Sequence, residues 1–443
     1  MSAVDLHLEG SRVLVLGLGM SGVSAARFCA ARGARVVAAE EAPRALDPAA
    51  LGPGVELRVG APFPDPAEFD LVVPSPGVPR ARYAGRARRA LGDVELAFRA
   101  LRVPIVAVTG TNGKSTTVRL VEAMLRTAGL RAEAAGNVGV PALDLVGRPL
   151  DVAVLEVSSF QLEAVEEFRP SVGVVLNVTE DHFDRHGSLE GYAAAKARLF
   201  ERQGPEDVAV ANGDDPLARK VAAAGRGRPW LFQRVGPVAE GAWWEAGAIA
   251  LARSGEVRRL SLDDFAAPLP PRENVLAALL AATGAGADPK RGLAALADFR
   301  GLPHRLERVG ERAGVSFVDD SKATNPGAAE FALDAQTAPV IWIAGGRDKD
   351  LSFDALAERA RGRVRRALLI GEAAEKIGRA LEGRVAYERL GTLDAAVRRA
   401  AEIAGPGEVV LLAPGCASFD QFQSYAERGD RFRDAVRALG AGG

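Results

Sequence analysis

The chain has 443 residues, more than a single hydrophobic core serves, so two to four domains are expected. A net charge of −1 gives no electrostatic case for binding nucleic acid or an anionic membrane. Its two cysteines, Cys29 and Cys416, form no metal or redox spacing, no run of 18 apolar residues is present, and Leu8-Glu-Gly-Ser-Arg12 interrupts a signal-peptide reading, so a cytoplasmic location is expected, and the chain is expected to be a monomer. Only seven of the 56 basic residues are lysine, the other 49 being arginine. Where charge alone suffices this chain uses Arg, so a Lys beside a strand end points to amine chemistry or a compact point charge.

Arg12-Val-Leu-Val-Leu-Gly-Leu-Gly-Met-Ser-Gly22 reads as a buried strand entering G-x-G-x-x-G. A helix to about residue 32 follows, then a strand over 35–39 that ends at Glu40. This is a dinucleotide-type fingerprint, with an acid about 20 residues on for a ribose hydroxyl. It serves NAD, FAD or any nucleotide diphosphate, and the same glycines also make a bare structural turn. A third strand, 70–73, runs into Ser75-Pro-Gly77, and the first domain closes at residue 97.

The most specific stretch opens the second domain, 98–302. Ile105-Val-Ala-Val-Thr-Gly-Thr-Asn-Gly-Lys-Ser-Thr116 is an apolar strand, a glycine turn and a helix start. Gly110, Thr111, Asn112 and Gly113 offer backbone N–H groups to a phosphate, Lys114 adds a mobile charge, and Ser115 or Thr116 reaches a Mg²⁺ riding on the phosphates. The usual pattern has a further Gly where this chain has Val108, so the loop is a variant. A nucleoside triphosphate site is expected.

Asp151-Val-Ala-Val-Leu-Glu156 places a carboxylate in an apolar strand, where it needs a partner or a metal. Ser171-Val-Gly-Val-Val-Leu-Asn-Val-Thr-Glu-Asp-His182 repeats the arrangement, and Glu180, Asp181, His182 and Asp184 together suggest a metal site. Lys196 lies in a helix among alanines, where a solvated lysine is the plain alternative. Antiparallel strands are expected within 205–268, and a helix starts near Asn274. The third domain, 303–443, repeats strand, turn and helix: its strands end in Asp319-Asp-Ser-Lys-Ala-Thr-Asn-Pro326, Gly345-Gly-Arg-Asp-Lys349 and Pro414-Gly-Cys-Ala-Ser-Phe-Asp-Gln-Phe422. Every polar cluster follows a strand, as at the ligand edge of a parallel α/β sheet.

The set G-T-N-G-K-S-T, L-E-V-S-S-F-Q-L, L-N-V-T-E-D-H, D-D-S-K-A-T-N-P and P-G-C-A-S-F-D-Q-F resembles the Mur ligase family along essentially the whole chain. The resemblance implies an α/β fold of three domains, Rossmann-like at both ends around a central P-loop domain. It implies an amide ligase of peptidoglycan precursor synthesis that joins D-glutamate to UDP-N-acetylmuramoyl-L-alanine through an acyl phosphate, with ATP as co-substrate and two Mg²⁺ ions. It further implies that Lys114, Ser115, Thr116 and Glu156 serve the triphosphate and one Mg²⁺, and His182 and a carbamylated Lys196 the second. Asn274, Arg305 and Asp320 match contacts to the adenosine nucleotide. Gly19, Met20, Ser21, Glu40, Gly77 and Asn137 match the UDP substrate, and Lys322, Thr324, Lys349, Ser418 and Tyr425 match D-glutamate. Three departures stand out: Pro270-Pro-Arg-Glu273 replaces a G-x-H-N element before Asn274, Tyr425 replaces a frequent Phe, and Ala42 replaces a basic residue sometimes found on the uracil side.

Overall fold

A computed structural model describes residues 6–43, 45–137, 139–263, 265, 269–348 and 351–440, without the side chain of Asp184. Two compact units result: Met1–Val178 with His182–Phe299, and Thr179–Asp181 with Arg300–Gly443. No helix among the described residues is long and apolar enough to cross a membrane.

The first unit contains two sheets. Four parallel strands lie in the order Glu56–Val59, Arg35–Glu40, Arg12–Leu16, Leu71–Pro74. Val13 to Leu16 are fully buried, as a central parallel strand covered on both faces must be. Glu56–Val59 is absent from the sequence reading. It is an edge strand of alternating exposure, and its Glu and Arg conceal the apolar signal.

Nine strands make the second sheet. Seven run parallel, in the order Gly241–Glu245, Arg228–Gln233, Val208–Asn212, Val172–Val175, Ile105–Thr109, Val152–Glu156, Ala132–Gly136. Ala248–Arg253 and Glu256–Ser261 extend it as an antiparallel meander, within the region where antiparallel strands are expected. Ile105–Thr109 is thereby flanked by the strand ending at Glu156 and by the one leading to Asn177. Helices Lys114–Thr127 and Arg272–Gly284 share a core on this sheet through Val118, Val121, Leu125, Val275 and Leu279.

The two sheets are joined by helix Asp93–Ala100. Its buried Glu95 pairs with Arg99 at 2.6 Å and accepts N–H bonds from Glu166, Glu167 and Phe168. A buried charge so fully satisfied fixes one geometry, because breaking it strands the other partner.

The second unit is built on six strands in the order Glu307–Arg312, Val315–Asp319, Val409–Leu412, Val340–Gly345, Val364–Ile370, Tyr387–Gly391. The first pair is antiparallel and the rest are parallel. Helix Tyr425–Gly440 closes the chain, with Phe432 buried against Phe317 and Leu412.

Candidate active site

The phosphate loop follows from its two neighbours. Val108, where a further glycine would sit, lies inside the strand and pairs with Glu156, so the loop is only Gly110 to Gly113. Gly113 has φ +84°, and a Cβ there would stand 2.6 Å from Asn274 Oδ1, so both backbone and space demand glycine. Asn274, buried on helix Arg272–Gly284, thus stands against the loop. Asn177 fastens the other side. Its Oδ1 accepts from the N–H of Thr111 and Asn112 at 3.1 and 2.8 Å, and its Nδ2 donates to Asn112 O at 3.2 Å. The sequence places Asn177 just past a strand end; its bonds to a loop 65 residues away leave no local signal.

Lys114 Nζ donates to Gly110 O at 2.8 Å and Thr111 O at 2.7 Å, so the ammonium is folded over the loop. Ser115 Oγ donates to Glu156 Oε2 at 2.5 Å, and Asn137 Nδ2 donates to Glu156 Oε1 at 2.8 Å. Glu156 is 2% exposed, so both oxygens of the buried carboxylate are engaged. Lys196, 1% exposed, donates to Gly110 O at 3.0 Å and lies 4.0 Å over the Tyr192 ring. A solvated lysine is therefore ruled out. His182 begins the short helix Phe183–His186 at φ +54° and meets Phe160 edge-on, ring centroids 4.8 Å apart. Asp181 accepts from Asn325 Nδ2 at 2.9 Å within the second unit.

The six residues matched to the UDP substrate, Gly19, Met20, Ser21, Glu40, Gly77 and Asn137, all line one cleft of about 600 Å³ in the first unit. The glycine turn is enforced sterically: a methyl at Gly22 would overlap the Gly17 carbonyl, which itself accepts from Ser75 Oγ at 2.6 Å. Glu40 accepts from the N–H of Leu18 at 2.9 Å and of Ala42 at 3.1 Å. Each oxygen retains lone-pair capacity for a hydroxyl. Beneath the cleft, buried Asp93 accepts from Gln161 Nε2 at 3.1 Å, and burial pushes its carboxyl above the usual range despite bonds from Ser21 and Gln161. Neither Asp93 nor Gln161 is among the site residues expected from sequence.

In the second unit, Lys322 Nζ lies 3.8 Å over the Tyr425 ring. Ser418 is buried and Thr324 half-buried, while Lys349 lies outside the described residues. Arg428, 1% exposed, organises this region. Its guanidinium donates to Ser321 Oγ and Ser321 O at 2.9 Å each, to Cys416 O at 3.1 Å and to Ala417 O at 3.4 Å. It thereby ties the loop bearing Lys322 to the loop bearing Ser418. Burial lowers its pKa to about 10. His304, at φ +59°, bonds Asp319 Oδ2 at 2.7 Å, with Glu307 close by. This cluster, not anticipated from sequence, brackets Arg305 and Asp320, and Glu307 is already held by Arg433 at 3.0 Å.

Burial pushes the Asp320 carboxyl up to about 7, with the Arg305 charge drawing it partly back. The folded chain then holds this proton more tightly than the unfolded chain, whose carboxyl keeps the ordinary 3.8. Stability is therefore lost as pH rises from about 4 to about 7 and levels off above that. Asp320→Asn should melt at a higher temperature than the parent at pH 8, with the gap narrowing toward pH 5; a gap independent of pH would refute this.

Residues 108–285 match the model of the Mur ligase middle domain, and residues 304–416 that of the Mur ligase, glutamate ligase domain. The UDP-N-acetylmuramoylalanine–D-glutamate ligase of Geobacter metallireducens is 42% identical, with 99% of each chain covered. That of Anaeromyxobacter dehalogenans is 46% identical over 96% of this chain and 97% of its own. The chain belongs to the Mur ligase family. A solved pseudomurein peptide ligase type C from Methanothermus fervidus, 17% identical, shares the fold with a TM-score of 0.63 over 97% of this chain and 100% of that one. Mur ligase membership bears out the α/β architecture expected from sequence. Where the family's G-x-H-N element would precede Asn274, this Mur ligase has Pro271 as the cap of helix Arg272–Gly284, and Asn274 nevertheless reaches the loop.

Proposed function

We propose that this chain joins D-glutamate to UDP-N-acetylmuramoyl-L-alanine, consuming ATP and releasing ADP and phosphate, in the cytoplasm and as a monomer. One observation carries the reading. Asn137 of the cleft is bonded to Glu156, whose other oxygen holds Ser115 of the phosphate loop, so the two binding sites share a wall. A carboxylate at the end of a UDP-bound substrate is thereby directed toward a γ-phosphate on the loop.

The division of labour we propose gives residues 1–97 the UDP end, 98–302 the ATP, and 303–443 the amino acid with part of the ATP. Attacking carboxylate and phosphate are both anions, and Lys114 supplies charge where they meet. Ser115 and Glu156 offer hard oxygen donors 2.5 Å apart, a set that fits Mg²⁺. They would hold one ion, and His182 with carbamylated Lys196 a second. Bound there, magnesium screens the anionic repulsion and stabilises the transferring phosphoryl group. The amine of D-glutamate then attacks the acyl phosphate, the C–N bond forming as phosphate leaves. Lys322, Thr324, Lys349, Ser418 and Tyr425 are proposed to hold that amino acid, with Asn274, Arg305 and Asp320 on the adenosine.

The test is phosphate release with UDP-N-acetylmuramoyl-L-alanine and, in parallel, D-Glu, L-Glu, L-Lys and D-Ala. Turnover is expected with D-Glu and at least about 100-fold less with L-Glu, since two carboxylates and an amine fixed together accept one hand at the α-carbon. Equal rates for the enantiomers, or preference for another amino acid, would assign the chain to a different ligase.

A further inference from the structure

The segment that carries His182 is too short to hold its own shape. Phe183–His186 is a single helical turn, closed by the N–H groups of Arg185 and His186 donating to His182 O at 3.0 Å each. One turn is far below the length that is stable alone. His182 itself sits at φ +54°, a left-handed conformation that a residue other than glycine keeps only where its surroundings impose it. Side chains of residues 159–163 supply those surroundings. His186 Nε2 lies 3.0 Å from Ser159 Oγ. The Phe160 ring meets His182 edge-on at 4.8 Å between centroids, His186 at 5.6 Å and the Arg185 guanidinium at 5.0 Å. Glu163 takes Arg185 as a bidentate pair, Nε to Oε1 at 3.0 Å and Nη2 to Oε2 at 2.6 Å, with both side chains largely buried.

Arg185 also reaches beyond this group, because its Nη2 donates to Val78 O at 3.0 Å. Val78 belongs to the loop after strand Leu71–Pro74 and lines the cleft beside Gly77. Its N–H donates to Ser75 O at 2.9 Å, and Ser75 Oγ donates to Gly17 O of the glycine turn. We infer that Arg185 is a positioning residue for His182, strapping the turn that presents this imidazole to the loop that lines the cleft. The inference rests on the proposed function, which gives His182 to the second magnesium, and adds to it a residue that neither the sequence motifs nor the comparisons assign. The Glu163 carboxylate fixes where the guanidinium lies. The Val78 carbonyl ties that position to the four-stranded sheet, and the shared Phe160 ring passes it to His182. Lysine is no substitute: its ammonium meets Glu163 or Val78 O, while the planar fork serves both and still lies over the ring. The result is registry, since the imidazole is placed relative to the same loop that seats the sugar nucleotide.

The chain has four histidines, His7, His182, His186 and His304, so each imidazole can be followed by nuclear magnetic resonance in the metal-free, histidine-labelled full chain. Arg185→Lys, which keeps a cation beside Glu163, should shift the His182 and His186 signals and leave those of His7 and His304 in place. Phe160→Leu, which leaves the bonds of Arg185 intact, should shift His182 in the same way. In steady-state phosphate release, Arg185→Lys should lower saturating kcat by about 10- to 100-fold, the cost of a small misplacement, with KM for the UDP substrate within about threefold. In a His182→Ala background the same change should cost less than about twofold, because nothing is left for it to position. An unmoved His182 signal in both variants, an unchanged kcat, or an undiminished cost in the His182→Ala background overturns the strap. A parent chain that releases no phosphate with the UDP substrate overturns the proposed function instead, and the histidine signals still decide the strap.

Discussion

Lys114→Ala should lower phosphate release by at least about 10³-fold while leaving UDP-substrate binding within about threefold. The magnitude is that of removing a cation from the transferring phosphoryl group, where charge develops in a water-poor site. The selectivity follows from architecture, because the cleft proposed for the UDP substrate is built chiefly on the four-stranded sheet and the phosphate loop on the nine-stranded one. The loop should also survive the substitution. Gly110 O loses the Lys114 ammonium but keeps Lys196 Nζ at 3.0 Å, and Asn177 still holds Thr111 and Asn112. Lys114→Arg should not restore activity, since a planar fork cannot replace a compact ammonium folded against two carbonyls. A coupled phosphate assay and calorimetry with the UDP substrate check both halves; loss of binding along with turnover would mean that the chain had unfolded.

Lys196→Ala should lose about 10²- to 10³-fold in turnover and regain part of it with added acetate. The side chain is buried on helix Leu189–Ala197, with its nitrogen between Gly110 O and the Tyr192 ring. As an ammonium beside the phosphate loop it would repel a second magnesium ion. In the carbamate reading its neutral amine attacks CO₂, a C–N bond forms and a proton leaves, so a cation becomes an anionic oxygen ligand. Arginine, protonated at any working pH, cannot follow this course. A short carboxylate diffusing into the space left by alanine supplies the missing oxygens. Full activity in the variant, without any effect of acetate, would leave Lys196 as an ordinary buried lysine.

The legible parts of this chain were those whose signal is contiguous. The phosphate loop is a strand, a turn and a helix start within twelve residues, and the cleft residues Gly19 to Ser21, Glu40 and Gly77 each follow an apolar run. Glu156 announced itself as a charge in such a run, and it is bonded on both oxygens. What stayed hidden is either weakly apolar or non-local. Ala132–Gly136 is a parallel edge strand made of alanines, a glutamate and a glycine, with no β-branched residue to mark it. Tyr387–Gly391 is likewise an edge strand of mixed exposure. Asn177, and Arg428 through Ser321, act through partners 65 and 107 residues away, distances that no local pattern encodes.

Arg428 also constrains how such an enzyme can evolve. One guanidinium grips Ser321 on one loop and the carbonyls of Cys416 and Ala417 on the other, so neither loop drifts alone. A substitution that reshapes the 319–325 turn disturbs the anchor of 414–422, and the reverse holds too. With these loops proposed to hold the amino acid, steps toward a new amino-acid preference are expected to be epistatic. Replacements on the two loops are therefore expected to show coupled rather than additive effects in a double-mutant cycle.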